Sequence, residues 1–390
     1  MDKKIVYMDH AATTYAAPEV VEAMLPYFSE KFGNPSSVYS IGQENKAAID
    51  EARAKVAAAI NADPNEIYFT AGGSESDNWV FKGAAFANTR KGKHIITTAV
   101  EHHAVLHAAE WLQSQGFEVT YLPVDKYGMV SPADVEKAIR PDTILVSVMY
   151  ANNEVGTIQP IAEIGAVVRA HGISFHTDAV QAVGHVPIDV KAACIDMLSL
   201  SGHKFYGPKG VGALYIRQGV RIQNLIHGGA QESKHRAGTE NVPGIVGLGV
   251  AIERTVRAIP QESVRLIAMR DSLIAELLRI PASHLNGHPV KRLPNNVNIT
   301  FEYIEGEGIL LLLNTFGICA STGSACNSVS LEPSHVLTAM GVSHEISHGS
   351  VRLTIGERTT DADVAYVLEK LPAIVRRLRS MSPLTPQELK

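Results

Sequence analysis

Thr143-Ile-Leu-Val-Ser-Val-Met149, Ile161-Ala-Glu-Ile-Gly-Ala-Val-Val-Arg-Ala170 and Ser174-Phe-His-Thr177 follow one another and decide the fold. The first and third runs are short and rich in β-branched and aromatic residues, as strands covered on both faces are. The second carries its apolar residues at helical spacing. Strand, helix, strand is the repeating unit of a parallel sheet, because parallel neighbours need a crossover that returns the chain to the starting edge.

Outward from this unit, Ile67-Tyr68-Phe69, His94 to Thr98, Glu118 to Leu122, Met197 to Leu200 and Val211 to Ile216 repeat the strand pattern. Ala47 to Ile60 and Val105 to Ser114 repeat the amphipathic helix. The class is therefore α/β, with seven strands in a mostly parallel sheet. A helical pattern from about Pro243 to Leu278 is too long for one ordinary domain and is expected to carry the chain into another, with Pro260 kinking or dividing it. Beyond it, strands at Asn296–Phe301 and Val351–Ile355 alternate with helices at Gly308–Phe316, Pro333–Met340 and Asp361–Leu378, the pattern of a smaller α+β domain. The pattern alone leaves open which sheet the first strand, Ile5 to Met8, joins. The division drawn is 15–259 for the large domain, and 1–14 with 260–390 for the small one.

Composition narrows the function. The chain has 390 residues, 45% of them hydrophobic and 19% charged, enough to bury two cores. A net charge of −5 without a basic run gives no footprint for nucleic acid or for anionic lipid. Cys194, Cys319 and Cys326 are too few and too irregularly spaced for a disulfide framework or a zinc ribbon, which suits reduced thiols in a cytoplasm. Neither Ile5 to Met8 nor the near-apolar Val242 to Ile252 is long enough for a signal-peptide core or a membrane span, so a cytoplasmic protein is expected.

Three segments carry chemistry. In Ser199-Leu-Ser-Gly-His203-Lys204, a lysine follows an apolar strand within a Gly- and Ser-rich bend. Such an amine can form a Schiff base with a carbonyl cofactor if burial and charge lower its pKa; alone, it would read as a solvated loop lysine. Asp178, in Phe175-His-Thr-Asp178-Ala-Val-Gln181, ends a strand at the edge where open sheets bind ligands, and can pair with a protonated pyridine nitrogen or simply cap a helix. Phe69-Thr-Ala-Gly72-Gly73-Ser74 passes from strand to helix through two glycines, a phosphate site or a plain capped turn. His102 and His103 stand at a further strand end, and with His107 could be metal ligands, but no carboxylate sits at the HExxH spacing. Gly207-Pro-Lys-Gly210 lacks the ending of a P-loop and Gly247-Leu-Gly249 lacks a third glycine, so ATP and NAD are not indicated.

In order along nearly the whole chain, Ala11-Ala-Thr-Thr14, Phe69 to Asn78, Glu101-His102, Asn152 to Gly156, Asp178 to Gln181, Ser201 to Lys204 and Arg236 to Thr239 resemble the motif series of the cysteine desulfurases. These belong to the class V aminotransferase group of pyridoxal-phosphate enzymes of fold type I. Cys319-Ala-Ser-Thr-Gly-Ser-Ala-Cys326-Asn-Ser-Val-Ser-Leu-Glu-Pro-Ser-His335 resembles the NifS/IscS type and not the SufS type.

The resemblance implies pyridoxal 5'-phosphate as cofactor, Lys204 as the Schiff-base lysine, Asp178 on the pyridine nitrogen, Gln181 on the ring hydroxyl and His102 stacked on the ring. Gly73, Ser74, Ser201 and His203 match phosphate-binding positions, and Thr239 matches one supplied by the other subunit of a homodimer. Family members usually have Thr where Ser74 stands, and the hydroxyl is kept. Asn153 and Arg352 match positions near the substrate, L-cysteine, and Arg352 suits a bidentate grip on its carboxylate.

Cys326, in a loop rich in Ser and Gly, is the implied nucleophile, which attacks the substrate sulfur as thiolate and carries it as a persulfide while alanine leaves, with His102 assisting proton return. The sulfur then goes to an acceptor or iron–sulfur scaffold protein. No resident metal is expected, and iron would enter only as a transient cluster beside Cys326. Cys194 reads as a buried small hydrophobe and Cys319 as a structural strand residue. The alternatives are a selenocysteine lyase or aminotransferase on the same scaffold, which needs no nucleophilic Cys326, and a sulfur carrier without turnover.

Overall fold

The computed structural model describes residues 5–322 and 333–390. Its strands, in chain order, are β1 (Val6–Tyr7), β2 (Ile67–Thr70), β3 (His94–Thr98), β4 (Glu118–Leu122), β5 (Thr143–Ser147), β6 (Ser174–Asp178), β7 (Met197–Ser201), β8 (Gly212–Ile216), β9 (Ser283–Leu285), β10 (Asn296–Phe301), β11 (Ile318–Cys319) and β12 (Ser350–Thr354). Seven of them form one sheet in the order β2-β8-β7-β6-β5-β3-β4. Only β8 runs against its neighbours, β2 and β7.

Alternation along the inner strands sorts their side chains onto two faces. On β8, Ala213 and Tyr215 join a core with the helices Ser40–Ala59 and Ile161–Ala170, while Leu214 and Ile216 join a second core with the helices Gly73–Ala87 and His103–Ser114. With both faces covered, polar ligands are left the carboxyl edge of the sheet.

A three-stranded antiparallel sheet, β12-β10-β9, has its own core with the helices Gly306–Thr315 and Asp361–Met381. β1 pairs in parallel with β11, and Val6 and Met8 enter that same core. The helix Val242–Leu277 serves both regions: Ile245, Leu248 and Ile252 pack under the large sheet, and Leu266, Leu273 and Leu277 pack beside the small one. The expected division at Pro260 does not occur. The helix runs through this exposed residue, because burial of both its halves outweighs the one backbone hydrogen bond that proline removes. Among the described residues no helix is long and apolar enough to cross a membrane.

Candidate active site

Four strands end around one cavity of about 350 Å³. After β2, the helix Gly73–Ala87 brings Gly73, Ser74 and Asp77 to its wall; after β3 comes His102, at the end of β6 Asp178 with Val180 and Gln181, and at the end of β7 Ser201, His203 and Lys204. Asn153 and Arg352 close the far side. All the sequence-read cofactor and substrate residues are thus brought together except Thr239, which is exposed and does not line the cavity. Cys326 lies outside the described residues.

Lys204 sits in the turn after β7, and its Nζ donates to the carbonyls of Ala11 at 2.6 Å and Ala12 at 2.8 Å. Asp178 is 5% exposed, and its Oδ1 accepts the Val180 N–H at 2.9 Å. Burial pushes this carboxyl up to about 6, against the pull of that N–H and of the Lys204 ammonium. The site therefore holds an acid whose charge needs a cation.

His102 is the N-cap of the helix His103–Ser114, and its Nδ1 accepts the Ala104 N–H at 3.1 Å. The neutral ring therefore carries its proton on Nε2. Burial holds its pKa down to about 4, with the Lys204 ammonium and His103, His335 and His107 adding to the effect. Gln181 Nε2 donates to Ala11 O at 3.0 Å.

The phosphate end is built from backbone. The helix from Gly73 opens with N–H groups that no preceding carbonyl satisfies, beside the Ser74 hydroxyl. Gly73 must lack a side chain, since a Cβ there would stand 2.7 Å from Val180 Cγ2. His203 Nδ1 bonds Thr13 Oγ1 at 3.1 Å, and burial, with Lys204 and Lys209, lowers its pKa to about 4.

Arg352, on β12, is 3% exposed; one Nη donates to Asn153 O and the other to Asp9 Oδ1, both at 2.9 Å. Its buried Nε–H has no acceptor among the described residues. Asn152 fixes the neighbouring loop by donating to Val100 O and accepting from the N–H groups of Glu154 and Val155.

Sequence reading assigned no role to Asp9, Asp77 or Glu101. Only Asp77 carried a usable signal, because a helix that begins at Gly73 puts residues 74 and 77 on one face. The reading of Cys194 is corrected: it is only partly buried and has a φ of 56°, since the turn Asp189–Cys194 needs a left-handed residue at its end.

Comparison with known proteins places this geometry. The family model described as aminotransferase class-V matches residues 6–367. The cysteine desulfurase IscS of Methanosarcina thermophila is 67% identical over 99% of this chain and 96% of its own length. A solved structure described as a NifS-like protein superposes with a TM-score of 0.91 at 40% identity, over 96% of this chain and 100% of that one. Another, described as SspA in complex with cysteine, gives 0.80 at 41% identity over 90% and 98%. The chain belongs to the class V aminotransferase family, among the cysteine desulfurases of the NifS/IscS type.

Proposed function

We propose that this protein is a pyridoxal-phosphate-dependent cysteine desulfurase that converts L-cysteine to L-alanine and carries the sulfur as a persulfide on Cys326. The observation that carries the reading is the convergence of the Lys204 amine, the buried Asp178 carboxyl and the Arg352 guanidinium on one cavity. Pyridoxal 5'-phosphate, when bound, supplies a carbonyl carbon for an amine and a ring that accepts electrons from the substrate's α-carbon.

The residues fit that group. The N–H groups after Gly72 and the hydroxyls of Ser74 and Ser201 suit its phosphate, with His203 beside them. Asp178, buried and raised to about 6, suits the protonated pyridine nitrogen. Gln181 is placed for the ring hydroxyl and His102 for its face.

The protein's own groups then act in turn. Arg352 and Asn153 hold the amino acid by its carboxylate, and Lys204 removes the proton from its α-carbon. The Cys326 thiolate forms an S–S bond to the substrate sulfur as the Cβ–S bond breaks. The electron pair left on the amino acid takes up protons, with the His102 Nε2–H at hand, and alanine departs.

The protein works as a homodimer in which Thr239 completes the partner's phosphate site. The exposed Leu25, Phe28, Phe32 and Val38, an apolar set on one stretch of chain, support such an interface. The large unit is residues 15–259 and the small one 1–14 with 260–390, and the acceptor is a cytoplasmic iron–sulfur scaffold or sulfur-carrier protein. The test is a single turnover with L-cysteine, followed by alanine assay and mass mapping of sulfur on the enzyme. Alanine together with sulfur on Cys326, lost in Cys326→Ser while the cofactor stays bound, is expected. Alanine without any enzyme persulfide would overturn the reading and leave a lyase or aminotransferase.

A further inference from the structure

Beside Asp178 lie two carboxyls to which the reaction assigns no work. Asp77, one helical turn after Ser74, is 1% exposed and lines the cavity; it is hydrogen-bonded with the Ser199 side chain, while its Oδ1 has no hydrogen-bond partner among the described residues. Glu101, next to His102, is fully buried. Its Oε1 accepts from Thr98 Oγ1 and from the Met149 N–H, both at 2.9 Å, and its Oε2 has no partner among the described residues.

We propose that Asp77 and Glu101 are neutral carboxylic acids, positioning residues that leave Asp178 as the single negative charge of a three-carboxyl cluster, matched to one ring cation. A buried carboxylate needs donors on both oxygens or a cation beside it. Here each of the two acids has an orphaned oxygen, the natural seat of the proton.

Among the described residues the candidate counter-charge near Asp77 is His176, whose Nε2 lies 3.7 Å from Oδ1. Its ring nitrogens already bond Ser147 Oγ at 2.8 Å and Ser199 Oγ at 3.1 Å, and burial holds it neutral, down to about 3. Lys204 acts on Asp178, whose Oδ1 also accepts the Val180 N–H. Burial raises both acids, Glu101 to about 8, and each feels another carboxyl of the cluster. Negative charge is therefore least costly on Asp178. Two ionised neighbours would over-neutralise the ring; two neutral ones fix its partner's charge at one.

The proposal rests on the pyridoxal-phosphate reading for its purpose, but its test does not need the cofactor. Infrared spectra of the cofactor-free and loaded protein at neutral pH are recorded unlabelled, with 13C-carboxyl aspartate and with 13C-carboxyl glutamate. One neutral-acid band should shift with each label, the first vanishing in Asp77→Asn and the second in Glu101→Gln. By fluorescence titration, pyridoxal phosphate should bind Asp178→Asn at least about tenfold more weakly, with a smaller loss in the other two variants. Absence of neutral-acid bands from the labelled, unsubstituted protein would overturn the proposal whether or not any variant folds. So would a loss of affinity in Asp77→Asn equal to that in Asp178→Asn. Failure of the unsubstituted protein to bind pyridoxal phosphate would instead overturn the function proposed above.

Discussion

The carboxyl edge of the seven-stranded sheet and the three-stranded sheet meet the same cavity from opposite sides, and they hold their charged groups differently. Asp178 and Lys204 leave the ends of β6 and β7, adjacent strands whose registers are fixed by pairing and whose faces are packed on both sides. Arg352 leaves the middle of β12 and reaches the cavity through contacts with two other segments, the carboxylate of Asp9 and the carbonyl of Asn153. Groups at the large sheet's edge leave adjacent strand ends and meet backbone groups, whereas the guanidinium also depends on a charged side chain, Asp9. The first arrangement suits chemistry that tolerates little displacement, the second a grip that must admit and release a substrate.

If that contrast holds, changes on the two sides should separate in kinetics. Lys204→Ala is expected to give the largest effect, a fall in kcat of about a thousandfold or more, since on the function proposed a proton-transfer group and the cofactor's covalent anchor would be lost together. The check is alanine production by the cofactor-reconstituted variant. Turnover within tenfold of the parent would break the assignment of chemistry to the large sheet's edge.

On the other side, Arg352→Lys keeps the charge but loses the planar fork, so KM for L-cysteine should rise about 10- to 100-fold with a smaller change in kcat. Asp9→Asn leaves the guanidinium intact but weakens its tether, and a KM rise of only a few-fold is expected. Steady-state kinetics over a range of cysteine concentrations separates the two constants. A kcat loss without a KM change in both variants would show that Arg352 does more than hold the substrate.

The same contrast explains what could be read from sequence. Lys204, Asp178 and Ser201 follow apolar runs that end at turns, and the end of a strand in a parallel sheet is itself the address of the site. Those addresses needed no tertiary detail. Asp9 was not legible, because its partner is 343 residues away and no local pattern links the two. Asp77 and Glu101 could be located but not interpreted, because their state depends on desolvation and on missing partners, which exist only once the chain is packed. At Pro260 local propensity argued for a kink or a division, and the division does not occur because burial of both helix halves overrode it. The segment around Cys326, outside the described residues, was legible as composition and motif.

The last expected effect concerns stability, not turnover, and touches only the large sheet's side. Glu101 holds its proton up to about 8 in the folded protein, above the ordinary carboxyl value of 4.5, because of burial. In the unfolded chain it loses that proton near the ordinary value. The folded state therefore binds more protons through this window, and stability must fall as pH rises from about 4.5 to about 8, then level off. Glu101→Gln removes that slope while keeping the two hydrogen bonds that reach Oε1. The two proteins should be nearly equal at the acidic end, and the variant should gain on the parent with rising pH, by a few kcal/mol at most near pH 8. His102, His176 and His203, held low by burial, give slopes of the opposite sign, since stability is lost as pH falls through them. They are present in both proteins, so the difference between the two denaturant-unfolding profiles isolates Glu101. A difference that stays flat across the window, or that favours the parent as pH rises, would mean that Glu101 is already ionised in the folded protein.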